Sequence, residues 1–403
     1  MQENTVVWLA LPNLKFYMER FKTFIQVAAQ ACEGHVVIID DNTFPNAMPV
    51  DDIPKNVTIH FIGGSKLNKI KYLWKLAGKA LQANYETTII HDTFWLKLGF
   101  FVYFRNLWKR RSVTYFLSLY SPNPDFYVKR RWREFSKENV SWQNNFQYIS
   151  HFFQKVPLEF FSCRLANGII GNDTEITAGV KKYYKTKSTL FALPTSVNPD
   201  KFSPINGHQN GIIPKDKAIH ILGVGTLQIR KGWHILAEAI GLLRDKGVNV
   251  RVTLIFTLQE KDTNWFSDSL KKYNVQDLFT LFDFLPQEKL MAYYSNADVL
   301  VHPSFSEGSP RVVKEAMACE CPVIASDLPG IRILDPAGKW IQRFQIGNAE
   351  SLAGCLNDFG QNIEMWREKR PQIRQWVLNN FTPAIIAKQI TECYKQTLSF
   401  NRG

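Results

Sequence analysis

Along most of the chain, short apolar runs alternate with longer amphipathic stretches. In the first half, TVVWLALP (5–12), HVVIID (35–40), VTIHFIGG (57–64), TTIIHD (87–92), SVTYFLSLY (112–120), GIIGND (168–173) and TLFALPT (189–195) have the length and composition of strands. Amphipathic stretches lie between several of them, such as KFYMERFKTFIQVAAQACEG (15–34) and KLNKIKYLWKLAGKALQAN (66–84). The second half repeats the pattern. AIHILGVGT (218–226), VRVTLIFT (250–257), LFTLFDFL (278–285), DVLVHPS (298–304) and PVIASD (322–327) are expected strands. GWHILAEAIGLLRDKG (232–247), QEKLMAYYSNA (287–297) and RVVKEAMACE (311–320) are expected helices, and the chain runs out in helical sequence from about Asn362. Strand and helix alternating on this scale predict an α/β protein with mostly parallel sheets covered on both faces.

The alternation breaks once. PDKFSPINGHQNGIIPKDK (199–217) is rich in Pro, Gly, Asn and charge and has no apolar period. It divides the chain into two similar α/β halves, and 403 residues are enough for two cores. Open α/β sheets bind ligands at the carboxyl ends of their strands, so a cleft between the halves is the expected site.

Charge and cysteine narrow the class. The net charge is +13, and the excess is uneven: residues 1–210 carry 26 Lys and Arg against 16 Asp and Glu, residues 211–403 carry 23 against 20. A basic first half predicts an anionic partner. The most apolar region, 88–108, is interrupted by His91, Asp92, Lys97 and Arg105, which rules against a spanning helix. The N-terminus lacks the basic start and apolar core of a signal peptide, and the six cysteines are scattered without metal spacing, so a cytoplasmic protein is expected.

The candidate chemistry sits in two loops of the second half. After DVLVHPS comes a loop, Phe305 to Gly308. Ser309 has the chemistry of an N-cap and Pro310 suits a first helical position. A helix N-terminus there offers free N–H groups to anions or hydroxyls. Glu307 precedes that end and Glu315 lies nearly two turns into the helix, so the two carboxylates are offset along an extended ligand. A carboxylate suits a vicinal diol, as in a sugar or a ribose. In GVGTLQIRKGW, a strand ends in Gly223-Val224-Gly225 and a short loop delivers Arg230 and Lys231, a cation pair suited to a diphosphate. This is neither a P-loop nor a full GxGxxG fingerprint.

Together these pieces resemble the retaining glycosyltransferases of family 4, marked by Glu-x7-Glu, here Glu307-GSPRVVK-Glu315 within ADVLVHPSFSEGSPRVVKEAMACECPVIASDLPGI. GVGTLQIRKGWHIL is similar to that family's diphosphate loop and FDFLPQEKLMAYYSNADV to its base-contacting segment. LPTSVNPDKFSP is similar to the end of its first domain. The resemblance spans roughly 190–345. It implies the GT-B fold: two Rossmann-like domains facing across a cleft, an acceptor domain at 1–205, a nucleotide-sugar domain at 206–380, and a C-terminal helix at 381–403 packing back on the first domain. It implies a hexosyltransferase moving a sugar, with retention, from a nucleotide-sugar donor to a saccharide or lipid-linked acceptor in cell-envelope polysaccharide or glycoconjugate synthesis. Glu307, Lys231, Arg230 and His91 are the implied catalytic groups. Glu315, Gly225, Thr226, Gly308, Ser309, Pro310, Arg311, Val312, Phe284 and Leu285 are the implied donor-binding residues. No metal and no cofactor is implied, because two cations and a helix N-terminus neutralise the leaving diphosphate.

The first half departs from that family. LALPNLKFYMERF has no glycine pair after its strand, and Ser118 or Tyr120 stands where many members have histidine. His91, ending the preceding strand, is the alternative for that role. Residues 95–134 mix aromatics with Arg and Lys, including Lys109-Arg110-Arg111 and Lys129-Arg130-Arg131. They fit peripheral contact with an anionic membrane, an anionic lipid-linked acceptor, or a solvated helix face. Two other functions stand beside the enzyme. A GT-B scaffold without turnover, acting as a partner subunit, would explain the altered first half. Nucleic-acid binding would fit the charge, but the basic-aromatic region has no RNA-recognition or OB pattern.

Overall fold

The structure is a computed structural model, and it describes residues 4–12, 18–39, 53–62, 71, 74–75, 85–93, 114–119, 160–205, 218–259, 264–283 and 285–400. The chain forms two compact units: residues 1–196 with 383–403, and residues 197–382.

The first unit is built on a seven-stranded sheet. Its strands are β1 (Thr5–Pro12), β2 (Glu33–Ile39), β3 (Val57–Ile62), β4 (Thr87–Asp92), β5 (Thr114–Leu119), β6 (Gly168–Gly171) and β7 (Thr189–Ala192). Their order is β3-β2-β1-β4-β5-β6-β7, and every pairing is parallel. The described helices of this unit include α1 (Met18–Ala29), α2 (Thr174–Tyr184) and, from the end of the sequence, the helix at Pro383–Phe400, and residues 160–165 are helical as well. The continuous apolar runs follow from burial on both faces. On β1, Val6, Trp8 and Ala10 enter one core with Ile90, Tyr115 and Ile176, while Val7 and Leu9 enter another. That second core takes Phe21, Phe24 and Ile25 of α1 together with Ile386, Ile390 and Tyr394 of the C-terminal helix.

The second unit repeats the plan. Strands β8 (Ile219–Leu227), β9 (Val250–Gln259), β10 (Phe279–Phe282), β11 (Val299–His302), β12 (Val323–Ser326) and β13 (Ile341–Phe344) form a parallel sheet in the order β10-β9-β8-β11-β12-β13. Helices α3 (Trp233–Asp245), α4 (Asn264–Lys272), α5 (Gln287–Asn296), α6 (Arg311–Ala318), α7 (Pro329–Arg332), α8 (Ala349–Gln361) and α9 (Ile363–Asn380) belong to it, and the C-terminal helix of the first unit is α10. One apolar core joins β8, β9 and β11 to α3, α6, α8 and α9. Both sheets are doubly wound, and in each the strand order reverses direction at one place: between β1 and β4, and between β8 and β11. In such sheets the strand loops part at that point and leave room for a ligand.

The start of α6 differs from the sequence expectation. The helix begins at Arg311, so Pro310 occupies the cap position and no side chain caps the helix. Ser309 is not an N-cap. Its hydroxyl lies 2.7 Å from the ammonium of Lys314, a fully buried lysine one turn on. Strand β13 and helices α2, α4 and α8 were not among the expected elements. IQRF in β13 carries two polar residues in four, and its ends alone are buried.

Candidate functional site

The switch point of the second sheet lies between two adjacent parallel strands, Val299 and Leu300 of β11 opposite Ile221 and Leu222 of β8. Beyond β8 the chain makes a 3-10 turn at Ile229–Lys231, and Gly232 then opens α3 with φ +72. Beyond β11 it runs through Pro303, Ser304, Phe305 and Ser306 to Glu307. These loops are stitched together. The Phe305 amide donates to the Arg230 carbonyl at 2.9 Å, and Ser304 Oγ lies 3.2 Å from the same carbonyl. Gly232 sits so close to Pro303 that a Cβ there would meet the Pro303 carbonyl oxygen at 2.0 Å. A third segment, after β12, closes on the β11 loop: a Cβ on Gly330 would meet the Gly308 and Glu307 carbonyl oxygens at 2.1 and 2.5 Å.

That framework fixes Glu307. Its Oε1 accepts from Lys231 Nζ at 2.5 Å, from Ser304 Oγ at 3.0 Å and from Arg230 Nη1 at 3.4 Å. His302 Nε2 stands 3.7 Å from the same oxygen. The Lys231 and Glu307 side chains are 11% and 16% exposed, while Arg230 is 46% exposed, so the first pair is sheltered and the second cation reaches solvent. Burial alone pushes the Glu307 carboxyl up, but Lys231, with His302 and Arg230, more than offsets this and holds it at about 2. Burial pushes His302 down to about 4, so its ring is neutral at pH 7. The Lys231 stem passes over Gly225, 3.8 Å from where a Cβ would sit, and the tighter neighbour there is the Trp233 ring at 3.3 Å. Thr226 holds the loop from below: its hydroxyl donates to Gln228 Oε1 at 3.1 Å and its carbonyl accepts from Trp233 Nε1 at 2.9 Å.

Glu315 lies deeper, 5% exposed on α6. Tyr294 Oη, fully buried on α5, donates to its Oε2 at 3.3 Å, and Arg311 Nη2 donates to its Oε1 at 3.4 Å. Burial and the Glu315 carboxylate together push the Tyr294 hydroxyl well above its usual range, so it stays a neutral donor. Gly308, Ser309 and Pro310 form the turn into α6, and Val312 packs on the core as Leu285 does. Phe284 lies outside the described residues, as do Tyr120 and nearly all of the basic-aromatic region 95–134. Among the described residues no group of three His, Cys, Asp or Glu could hold a metal ion, and no helix is long and apolar enough to cross a membrane.

His91 belongs to the other unit. It is fully buried at the end of β4, with Nδ1 2.5 Å from Tyr394 Oη and Nε2 2.7 Å from Ser118 Oγ. Burial lowers its pKa to about 3. Both ring nitrogens are taken up inside the core: His91 ties β4 to β5 and α10, and Ser118 is its partner in that tie. The residues that sequence reading missed are His302, Ser304, Tyr294 and Lys314. The first two were visible as the polar end of VLVHPS; the others look like ordinary helix residues until their burial is known.

Comparison with known proteins agrees with this architecture. Residues 208–361 match the family model described as Glycosyl transferases group 1. Among curated proteins, a D-inositol 3-phosphate glycosyltransferase of Pseudarthrobacter chlorophenolicus is 32% identical over 169 residues, covering 40% of each chain. The putative colanic acid biosynthesis glycosyltransferase WcaL of Salmonella typhimurium is 26% identical over 180 residues, 43% of this chain and 44% of its own. The first such relatives are matched over only 28% to 40% of their own length. Among solved structures, sucrose-phosphate synthase from Thermosynechococcus elongatus has a TM-score of 0.68 at 21% identity, covering 98% of this chain and 99% of its own. Anabaena HepE, solved in complex with UDP, has a TM-score of 0.68 at 15% identity, covering 97% and 100%. The chain therefore has a GT-B fold of two parallel-sheet α/β domains, and its second unit holds most of the segment that matches the glycosyl transferases group 1 family.

Proposed function

We propose that the protein is a metal-independent, retaining glycosyltransferase that takes a hexose from a nucleoside-diphosphate donor and works in the synthesis of a polysaccharide or glycoconjugate. The observation that carries this reading is the cluster at the switch point of the second sheet. Two cations from the β8 loop meet Glu307 from the β11 loop, and Glu315 stands one helix step beyond. Lys231 and Arg230 are placed to take the donor's diphosphate, the Lys as a point charge and the Arg as a fork. The amides at the start of α6 add N–H donors to the same anion. Glu315, held by a neutral tyrosine, accepts from a diol such as that of a ribose. Glu307 faces the sugar. Charge fixed in place before reaction stabilises the leaving diphosphate without reorganisation, the role a divalent ion would otherwise fill. HepE, of the same fold, was also solved with UDP-glucose, and the relatives named for colanic acid and amylovoran synthesis make a polysaccharide product the expected class. The acceptor is a saccharide or lipid-linked saccharide, and the basic first half of the chain suits an anionic acceptor or an anionic membrane surface.

The test is turnover. The protein is incubated with a panel of UDP-, GDP- and ADP-sugars and polyisoprenyl-linked or free saccharide acceptors, with EDTA present, and release of nucleoside diphosphate is measured. Turnover that survives EDTA and is abolished in Lys231→Ala and Glu315→Ala is the expected result. Binding of donor with no turnover on any acceptor would overturn the enzymatic reading.

A further inference from the structure

We infer that His302 is a positioning residue for Glu307, one that engages when a diphosphate draws Lys231 and Arg230 away. This rests on the reading of the site as a diphosphate pocket. Three features of the cluster lead to it. First, every contact that orients Glu307 falls on a single carboxylate oxygen, and two of the three donors to it are the cations that an anionic ligand would claim. A diphosphate carries more charge than a carboxylate and offers several acceptor oxygens, so it competes for both. Secondly, when the cations turn to the ligand, Glu307 keeps only the Ser304 hydroxyl among these donors. A sheltered carboxylate losing its partners would otherwise rise in pKa and swing free.

Thirdly, a polar atom is waiting beside it. His302 is 1% exposed, and its Nε2 has no hydrogen-bond partner, which is rare for a buried ring nitrogen. That atom lies 3.7 Å from Glu307 Oε1, outside hydrogen-bond range but one small side-chain shift from it. The position is rigid, because His302 is the last residue of β11 and Pro303 is clasped against Gly232. The ring is neutral in the free protein, pushed down by burial and by Lys231 and Arg230. The groups facing it are therefore Glu307, Lys231 and Arg230, and departure of the two cations removes part of what holds the proton off. With Nε2 protonated, in the neutral tautomer or as imidazolium, His302 donates to Glu307 and replaces the bond that Lys231 gave up. The carboxylate then stays aimed at the ligand through the change in its counter-charges.

A merely structural histidine would behave differently, and a double-mutant cycle separates the two. Binding of UDP, GDP and ADP is measured by calorimetry for the wild type, His302→Phe, His302→Asn, Glu307→Gln and the double variant His302→Phe/Glu307→Gln, with ligand-free thermal midpoints recorded for each. Because His302 makes no hydrogen bond through Nε2 in the free protein, the Phe variant should keep its ligand-free midpoint. It should nevertheless bind the nucleoside diphosphate about tenfold more weakly, the loss of roughly one hydrogen bond to a charged group. Asn, which retains a donor, should recover part of the affinity. In the Glu307→Gln background the Phe substitution should add nothing further, since no carboxylate remains to be held. Equal affinity of wild type and His302→Phe, or additive losses in the double variant, would overturn the inference while leaving the diphosphate pocket standing. If the Phe variant does not fold, the Asn variant carries the cycle, with partial loss in the wild-type background and none in Glu307→Gln as the supporting result. Failure of the wild type to bind any of the three nucleotides would overturn the pocket itself, and the inference with it.

Discussion

In the proposed reaction, Lys231 is the residue on which most of the chemistry turns. Its ammonium is sheltered, bonded to Glu307 and carried on a stem over Gly225. Lys231→Met keeps the stem and removes the charge. It should weaken nucleoside-diphosphate binding by at least tenfold, about 1.4 kcal/mol, in a calorimetric titration. It also leaves a sheltered carboxylate without its main partner, at a cost of about 3 kcal/mol in unfolding free energy, readable by urea denaturation. Among the shifts that set the pH dependence, with His302 lowered to about 4, are those of Glu307 and His91. Glu307 has a folded pKa lowered to about 2 from its ordinary value of 4.5, so its contribution is present above pH 4.5 and is lost as pH falls towards 2. His91, lowered to about 3 from 6.5, acts in the same direction: its contribution is present above pH 6.5 and drains away as pH falls through 3. Thermal midpoints should therefore decline steadily on acidification below about pH 6.5, and His91→Phe should flatten the upper part of that decline. The meeting of Glu307 with Arg230 and Lys231 was legible in the sequence, because charged residues cluster in the two loops that follow β8 and β11. The surroundings of His91 were not. A histidine ending a strand looks the same whether its nitrogens face solvent or are consumed by Tyr394 and Ser118, and Tyr394 lies more than 300 residues away.

At the level of elements, three loops hold the pocket, and two glycines let them close. Gly232 combines a left-handed backbone with a carbonyl oxygen at 2.0 Å from where a side chain would begin. Gly232→Ala should destabilise the protein by upwards of about 2 kcal/mol. Gly330 has ordinary backbone angles but faces the carbonyls of Glu307 and Gly308. Gly330→Ala should push that loop outward. Its expected signature is weaker donor binding out of proportion to any fall in thermal midpoint, measured on the same preparation. Strands were well marked in the sequence because burial on both faces demands unbroken apolar runs, as in GIIG of β6 and VLVH of β11. The beginning of α6 was read one residue early. Ser-Pro has the chemistry of a cap followed by a first turn, yet the buried Lys314 claims the Ser309 hydroxyl, and Pro310 becomes the boundary. No local rule would reveal a buried lysine in RVVKEAMA, whose periodicity gives no reason to place Lys314 inside.

For the molecule as a whole, two doubly wound sheets of the same order account for the repeated alternation along the chain. The chain's end is part of the first unit's core: Ile386, Ile390 and Tyr394 of α10 pack with α1 and with the His91 face of the sheet. Tyr394→Ala should cost about 3–5 kcal/mol in unfolding free energy while leaving nucleoside-diphosphate binding by the second unit within about twofold of wild type, because every contact to Glu307 and Glu315 described above is made within residues 197–382. The most direct test of the central claim, that the β8 and β11 loops form a nucleotide-sugar pocket, is a thermal-shift screen of UDP-, GDP- and ADP-sugars against the wild type and Lys231→Met. A ligand that binds only the folded state raises its midpoint. The account predicts that at least one nucleotide sugar raises the wild-type midpoint by several degrees and leaves that of Lys231→Met unmoved. No shift with any of them, or an undiminished shift in the variant, would contradict it.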